Sequence, residues 1–498
     1  MANDMLQDYI ATGNVEPKMA SFVANLNLVN QSYPEIAKGI LQEVIDQRSH
    51  LKLIASENFS SFSVQAAMGN LLTDKYAEGY VKNRFYAGCD NVDEIEALAV
   101  KEACELFGVP HAYVQPHSGA DANLVAFWAI LRKRIQEPIM ERLEKKNLLH
   151  LTKEEWDEIR IGMGNQRLLG LDLFSGGHLT HGYRHNASAQ MFDVYNYTVD
   201  KETGILDYDQ IREQLHEVKP FIFLIGFSAY TRNVDYELMR KYADEVGAVL
   251  MVDMAHFAGL VAGGAISGKY DPTKYADVVT TTTHKTLRGP RGGLVFATKE
   301  FAELVDKGCP HILGGPLPHI MASKALAFKE ARQPEFKEYA AKVVENARTF
   351  AAALQDKGIT VLTGGTDNHI ILVNVGVLGI TGRQAESALR ECGITLNRNT
   401  IPFDPQGPWF TSGLRFGTPA LTTLGMGSSE MEEIADIVAT VLKQVTPKII
   451  ESKGINSKAK YEIPVEVVED AKNRVATILD NYVLYPEIDI EFLKKYVN

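Results

Sequence analysis

The sequence predicts an α/β fold: a large domain with a mostly parallel central sheet sandwiched by helices, followed by a smaller α+β C-terminal domain. Three observations predict it. Short apolar, β-branched segments recur at Phe221–Phe227, Ala248–Asp253, Val278–Thr282 and Gly293–Ala297. They lack strict alternation, as parallel strands buried on both faces do. Between the first two, Asp235–Val246 has helical spacing, which is βαβ grammar. After about residue 320 the pattern changes to a long helix at Ala322–Gln355, strands at Ile370–Val375 and Gly413–Phe416, and a helix at Ser429–Gln444.

In chain order, residues 1–60 read as mostly helical, with Pro34 opening a periodic stretch through Ile36, Ile40, Val44 and Ile45. Residues 1–70 form a helical arm and 71–325 the large domain. A charged helical insertion is expected at about 131–165; half of residues 131–160 are Asp, Glu, Lys or Arg, the mark of a solvated face. Residues 326–498 form the small domain. Its extended tail from Ser452 is charged, with periodic Val and Leu, and reads as one or two packed helices.

Composition narrows the function classes. Hydrophobic residues make up 45% and charged residues 23%, which excludes disorder over most of the chain. A net charge of −12 excludes a nucleic-acid coat, which needs a basic field. The longest apolar runs are far shorter than a membrane span. The start, MANDMLQDY, lacks a basic and apolar leader pattern. No two of Cys89, Cys104, Cys309 and Cys392 lie within four residues, so neither a zinc pattern nor a disulfide framework is present. A cytoplasmic protein without a metal is expected.

Chemistry concentrates at strand ends. In VDMAHFAGL (252–260) an apolar strand ends in Asp253, with His256 three residues on. Alone, Asp253 reads equally well as a helix cap. TTTTHKTLRGPRGG (280–293) places Lys285 after another apolar strand, behind Thr282 and His284 and before a glycine-rich turn. A lysine in that setting suits a Schiff-base amine. Together, the aspartate to hold a pyridinium nitrogen and the lysine are the minimum kit for pyridoxal phosphate. HSGADAN (117–123) opens an apolar helix, Leu124–Leu131, after the strand-like AYVQP, and Ser118 and Gly119 there suit a phosphate. FSGGHLTHG (174–182) sets His178 and His181 among glycines without an evident third metal ligand, and GFSAY (226–230) supplies Ser228. LIASENF (53–59) holds Ser56. KYAEGYVKNRFYAGC (75–89) holds Tyr76, Glu78 and Tyr86, and alone reads as an aromatic interface loop. TSGLRFGTPALT (411–422) presents Arg415 between glycines.

These motifs, in this order from about residue 20 to 445, resemble serine hydroxymethyltransferase, a fold-type-I pyridoxal phosphate enzyme. The resemblance implies that Lys285 carries the cofactor, with Thr282 and His284 beside it, and that Asp253 pairs with the pyridine nitrogen. It implies that His178 stacks on the ring, and that Ser118, Gly119 and Ala120 bind the phosphate. Gly314 and Gly315 of ILGGPLPH would reach that phosphate from a second subunit. Ser228 and His256 would bond the phenolic oxygen region. Arg415 and Ser56 would hold the amino-acid carboxylate, and Glu78 would act as acid and base near the serine hydroxyl. Tyr76 and Tyr86 would approach from the partner, with Arg291 near Tyr76. Leu173 and Asn399 match folate-contacting positions. The implied reaction is L-serine plus tetrahydrofolate giving glycine, 5,10-methylenetetrahydrofolate and water, in a homodimer with shared sites. A small-substrate site with a general electron sink also implies slow alanine racemisation or transamination. The alternatives are a threonine-aldolase-like lyase and a non-catalytic protein that kept the fold. The chain departs from the family pattern at Ser175, Phe85 and Ala120, the last replacing a residue that often donates to phosphate.

Overall fold

The computed structural model describes residues 4–452 and 454–497. Residues 1–3 of the predicted arm, and residues 453 and 498 of the predicted tail, lie outside the described residues. Seven strands make the central sheet: β1 (Ala112–Tyr113), β2 (Arg167–Leu171), β3 (Asp193–Tyr197), β4 (Ile222–Gly226), β5 (Val249–Asp253), β6 (Val278–Thr282) and β7 (Gly293–Ala297). Their order is β1-β7-β6-β5-β4-β2-β3. The apolar runs have a simple cause. Alternate residues of each strand enter two different cores: Phe223, Ile225, Leu250 and Val252 pack on one face, and Ile222, Leu224, Val249 and Met251 on the other. With both faces buried, no polar alternation survives.

Strands β2 to β6 pair in parallel. Gly293–Ala297 corrects the sequence reading: β7 runs antiparallel to both β6 and β1. A strand that is apolar on both faces carries no signal of its direction. The strand expected at AYVQP shortens to Ala112–Tyr113, and the helix after it begins at Gly119 instead of Leu124, because Ser118 caps it by accepting from the Asp121 N–H. In register, Gly226 lies beside Asp253, and Asp253 beside Thr280. The carboxyl ends of β4, β5 and β6 therefore form one edge, where α/β sheets bind ligands.

The charged segment is broken rather than continuous. Helices Glu137–Arg142 and Lys153–Gly164 bury Met140 and Ile159 and expose most of their charges. The long helix expected over 322–355 is two helices, Pro318–Ala331 and Pro334–Asp356. The break falls at Gln333, because the residue before a proline is pushed out of helical geometry.

The second sheet comprises β8 (Thr360–Val361), β9 (Ile370–Asn374), β10 (Asn397–Asn399) and β11 (Gly413–Gly417), antiparallel in the order β8-β9-β11-β10. Its core includes Phe350, Leu354, Ile434 and Val438 from helices Pro334–Asp356 and Ser428–Gln444. The tail corrects a second expectation. Before helix Val465–Asn481 it forms a hairpin strand, Ile455–Glu462, paired with Thr446–Ile450.

Two N-terminal features position the site. Leu51–Lys52 pairs in parallel with Ile394–Thr395, and the Gly417 N–H donates to the Leu53 carbonyl at 2.8 Å. Only glycine fits at 417, since a Cβ there would lie 2.3 Å from Ala55 Cα. This ties LIASENF across the second sheet. The predicted helix at Pro34 is present, spanning Pro34–Ser49, but it buries Ala37 and Leu41 while Ile36 and Ile40 are 52% and 39% exposed. The arm's core also takes in Ile488, Leu493 and Val497, so the chain's last turns pack on its first helices.

Candidate active site

A cavity of about 600 Å³ opens at the carboxyl edge of β4, β5 and β6. It is lined by twelve of the residues the sequence singled out for the site: Ser56, Ser118, Gly119, Ala120, His178, Ser228, Asp253, His256, Thr282, His284, Lys285 and Arg415, with Arg291 beside them. They come from segments spread over 360 residues of chain, each delivered by a strand end, a helix start or the strap at 53–59.

Asp253 is buried, and its bonds were not legible in the motif. Oδ2 accepts from the Asn123 amide at 2.9 Å and from His181 Nε2 at 3.2 Å, and Oδ1 accepts from the Ala255 N–H at 3.0 Å. The tautomer follows from the network. His181 Nδ1 accepts from the His178 N–H at 3.3 Å, so its proton sits on Nε2 and points at the carboxylate. Asn123 also donates to Thr180 Oγ1 at 2.7 Å and accepts from Thr280 Oγ1 at 2.5 Å. Thr180 in turn bonds His178 Nδ1 at 2.8 Å. Burial pushes the Asp253 carboxyl upward, but the hydrogen bonds from His181 and Asn123 outweigh it and hold it well below the ordinary range. The carboxylate is therefore ionised throughout the physiological range.

His178, His181 and Asp253 place ligand atoms within 4.8 Å of one another, which supplies the third ligand the sequence did not offer. Hydrogen bonds already engage His178 Nδ1, both nitrogens of His181 and both oxygens of Asp253, so the group works as a held carboxylate.

Lys285 stands at the cavity wall. Burial lowers its amine from 10.5 to about 8, against an upward pull from Asp253 and with further downward pushes from Arg415 and Arg291. Its backbone is pinned, since the Asn58 amide donates to the Lys285 carbonyl at 3.0 Å and to Tyr339 Oη at 2.7 Å. Nothing in LIASENF itself marks Asn58 for this role. Burial, Lys285 and Arg415 push His256 well below its usual range, and its Nδ1 is buried with no partner. His256 stacks on His369 with ring centroids 5.7 Å apart. Burial lowers His178 to about 4 and His284 to about 3, so both rings are neutral at pH 7. Arg415, lowered by burial to about 10, remains charged. Its Nε donates to Asn397 Oδ1 at 3.1 Å and one terminal nitrogen to the Ser228 carbonyl at 2.6 Å, which orients the fork and leaves further N–H groups for a ligand.

The remaining predicted residues lie outside this cavity. Tyr76, Glu78 and Tyr86 form a separate cluster. The rings of Tyr76 and Tyr86 stand 4.8 Å apart, and Tyr76 Oη donates to Glu78 at 3.5 Å. Tyr76 and Tyr86 are 55% and 45% exposed. Gly315 joins them, its missing Cβ 3.6 Å from the Tyr76 ring, while Gly314 is exposed. Leu173 sits in the turn Leu173–Ser175, and Asn399 ends β10 with its amide donating to the Thr400 carbonyl at 2.6 Å.

The family model for serine hydroxymethyltransferase matches residues 29–156 and 159–438. The chain is 56% identical to the serine hydroxymethyltransferase of Treponema pallidum strain Nichols over 499 residues, covering 100% of this chain and 87% of the relative. It is 52% identical to that of Salinispora tropica, covering 96% of this chain and 100% of the relative. It is 51% identical to that of Chlamydia trachomatis serovar D, covering 95% of each. The chain belongs to the serine hydroxymethyltransferase family.

Its α/β architecture is fold type I of the pyridoxal phosphate enzymes. The cavity fits that cofactor. An amine and an ionised carboxylate face one space. The unpartnered His256 Nδ1 lacks only a polar group from a ligand. The helix Gly119–Leu131 begins at the cavity, and the N–H groups of Gly119 and Ala120 have no helical acceptors there. A Cβ on Gly119 would lie 2.8 Å from Thr282 Cγ2, so the close approach of these two segments requires the glycine.

Proposed function

We infer that this chain transfers the hydroxymethyl group of L-serine to tetrahydrofolate, giving glycine, 5,10-methylenetetrahydrofolate and water. The observation that carries this reading is the convergence of Lys285, Asp253 and Arg415 on one cavity in a chain of this family. Pyridoxal phosphate, when bound, supplies an electron sink for the pair left on Cα as the Cα–Cβ bond of serine breaks.

The residues divide the work. Lys285 offers a partly neutral amine near pH 8. Asp253 stays ionised and holds the proton on the ring nitrogen. Neutral His178 gives the ring a flat face, and Ser118 with the amides of Gly119 and Ala120 takes the phosphate. Ser228 and His256 hold the phenolic oxygen. Arg415, with Ser56, grips the serine carboxylate. Thr282 and His284 flank the lysine. Glu78 moves the proton of the serine hydroxyl, and Leu173 and Asn399 face the folate. The cluster of exposed Tyr76 and Tyr86 with half-buried Glu78 and Gly315, together with Gly314, completes the site of a second copy in a homodimer. The exposed Ile36 and Ile40 stripe supports such an assembly.

No helix among the described residues is long and apolar enough to cross a membrane. The four cysteines are free thiols, which supports a reducing, cytoplasmic setting. Slow racemisation of alanine accompanies the main reaction, and failure to find D-alanine from L-alanine at high enzyme concentration would remove it.

The test is glycine release from L-serine with and without tetrahydrofolate, in the parent and in Glu78→Gln. Folate-dependent release, lost in Glu78→Gln, supports the reading. Folate-independent cleavage at the same rate would point to an aldolase-like lyase, and no release at all would overturn both.

A further inference from the structure

Lys324 lies on helix Pro318–Ala331 and is 1% exposed. Among the described residues no carboxylate pairs with it. Its ammonium instead donates to three main-chain carbonyls: Val114 at 2.5 Å, Gly293 at 2.8 Å and Pro116 at 3.0 Å. All three N–H donors of the lysine are thereby used. Burial lowers its amine from 10.5 to about 7, but a neutral amine has only two N–H donors, so the three carbonyls select the ammonium form and give it the coordination that proteins give a monovalent cation. The three carbonyls belong to segments that run into the cavity lining. Val114 and Pro116 lead directly into Ser118 and Gly119, and Gly293 follows Arg291.

The surroundings are as tight as a fixed support requires. The Gly293 N–H donates to the Pro116 carbonyl at 2.8 Å, joining the two segments. A Cβ on Gly293 would lie 2.2 Å from the Ser118 carbonyl oxygen, and one on Gly292 would lie 2.5 Å from Lys324 Cε. The cation therefore sits where strand β1, strand β7 and the loop at 116–119 meet, directly behind the start of the helix at Gly119.

We propose that Lys324 is a tethered cation that positions the phosphate end of the cofactor cavity, taking the place a bound monovalent ion would otherwise fill. Its ammonium draws the ends of β1 and β7 together, and so sets Ser118 and Gly119 against Arg291. Lys324 acts through the loop and touches no reacting atom. The proposal rests on the assignment of Ser118 and Gly119 to the cofactor phosphate.

The test compares binding of pyridoxal phosphate and of pyridoxal, which lacks the phosphate, to the cofactor-free full chain by absorbance titration. Lys324→Ala is expected to weaken pyridoxal phosphate about tenfold, the worth of a charge-assisted contact, and to change pyridoxal affinity far less. Added ammonium ion restores the phosphate preference in Lys324→Ala and leaves the parent unchanged. Equal losses for both ligands with no response to ammonium would overturn the proposal and leave Lys324 a packing residue. If Lys324→Ala does not fold, Gly292→Ala, which crowds the same ammonium, is measured in the same way, with the same phosphate-selective loss expected and an equal loss overturning it. A parent that binds pyridoxal and pyridoxal phosphate equally well would refute the phosphate assignment itself, a result distinct from either outcome for the variants.

Discussion

Gly259→Ala is a single methyl group placed against the backbone that carries Lys285. The added Cβ would lie 2.2 Å from the carbonyl oxygen of Thr286 and 2.3 Å from its carbonyl carbon, where ordinary contact begins at 3.4 Å. Backbone atoms cannot swing aside as a side-chain end can, so the segment after Lys285 must retreat by about 1 Å. Two hydrogen bonds resist the retreat. The Gly259 N–H donates to Thr286 Oγ1 at 2.9 Å, and that hydroxyl donates to the His256 carbonyl at 2.8 Å. Lys285 and His256 are thus displaced together. Overpacking of this kind costs about 1–3 kcal/mol of stability, and a misplacement of about 1 Å in a reacting group costs up to about 10²-fold in rate. Turnover of serine with tetrahydrofolate should fall toward that limit, with a lowered melting temperature. Gly164→Ala is the control: it ends helix Lys153–Gly164, and its Cβ meets nothing within 4 Å. Turnover of Gly259→Ala within twofold of the parent would refute the claim that the 286 backbone sets the lysine.

The pH dependence of cofactor capture follows from Lys285. Its amine is lowered to about 8, so the reactive neutral form is scarce below that pH and complete above it. Capture of pyridoxal phosphate by the cofactor-free chain should therefore rise about tenfold per pH unit below 8 and level off above it. Asp253→Asn removes the charge that pulls the amine upward, and the stopped-flow midpoint should move to lower pH. Asn123→Leu strands one Asp253 contact and the hydroxyls of Thr180 and Thr280, at about 1–3 kcal/mol for each buried group left unpaired. Differential scanning calorimetry should show a large loss of stability, and a parental melting curve would count against the network. If sites are shared between two copies, mixing Lys285→Ala with Glu78→Gln should rebuild one intact site per mixed dimer. Activity then recovers to about a quarter of the parent's after random exchange, and no recovery would count against the shared site.

The legible parts of the chain were those with a strong local pattern. Strands β4, β5 and β6 announced themselves because both faces are buried, and their ends carried Ser228, Asp253 and Lys285 in plain view. The same double burial hid the direction of β7. The break at Gln333 was marked by Pro334, but helical periodicity on both sides concealed it. The tail hairpin was missed because Ile455–Glu462 is mostly exposed and polar, so it lacks an apolar face to read. Site residues were missed where a polar side chain sits in an ordinary context. Asn123 is one amide at the start of an apolar helix, Asn58 a neighbour of Ser56, and Asn397 lies two residues before the predicted Asn399. The sequence marks His181 only as a metal-ligand candidate, since its bond to Asp253 joins residues 72 positions apart. Lys324 gave no signal beyond a lysine on the inward face of a helix. Such partners depend on which segments meet, and local sequence does not encode that.

The central claim is that Lys285 and Asp253 serve a cofactor whose chemistry is coupled to folate. The most direct measurement is the visible absorption spectrum of the purified full chain with pyridoxal phosphate, before and after glycine and tetrahydrofolate are added together. A yellow band lost in Lys285→Ala, giving way to a red-shifted band only when both additions are present, is the predicted result. A yellow band that ignores folate would contradict the coupling, and no band after added pyridoxal phosphate would contradict the claim at its root.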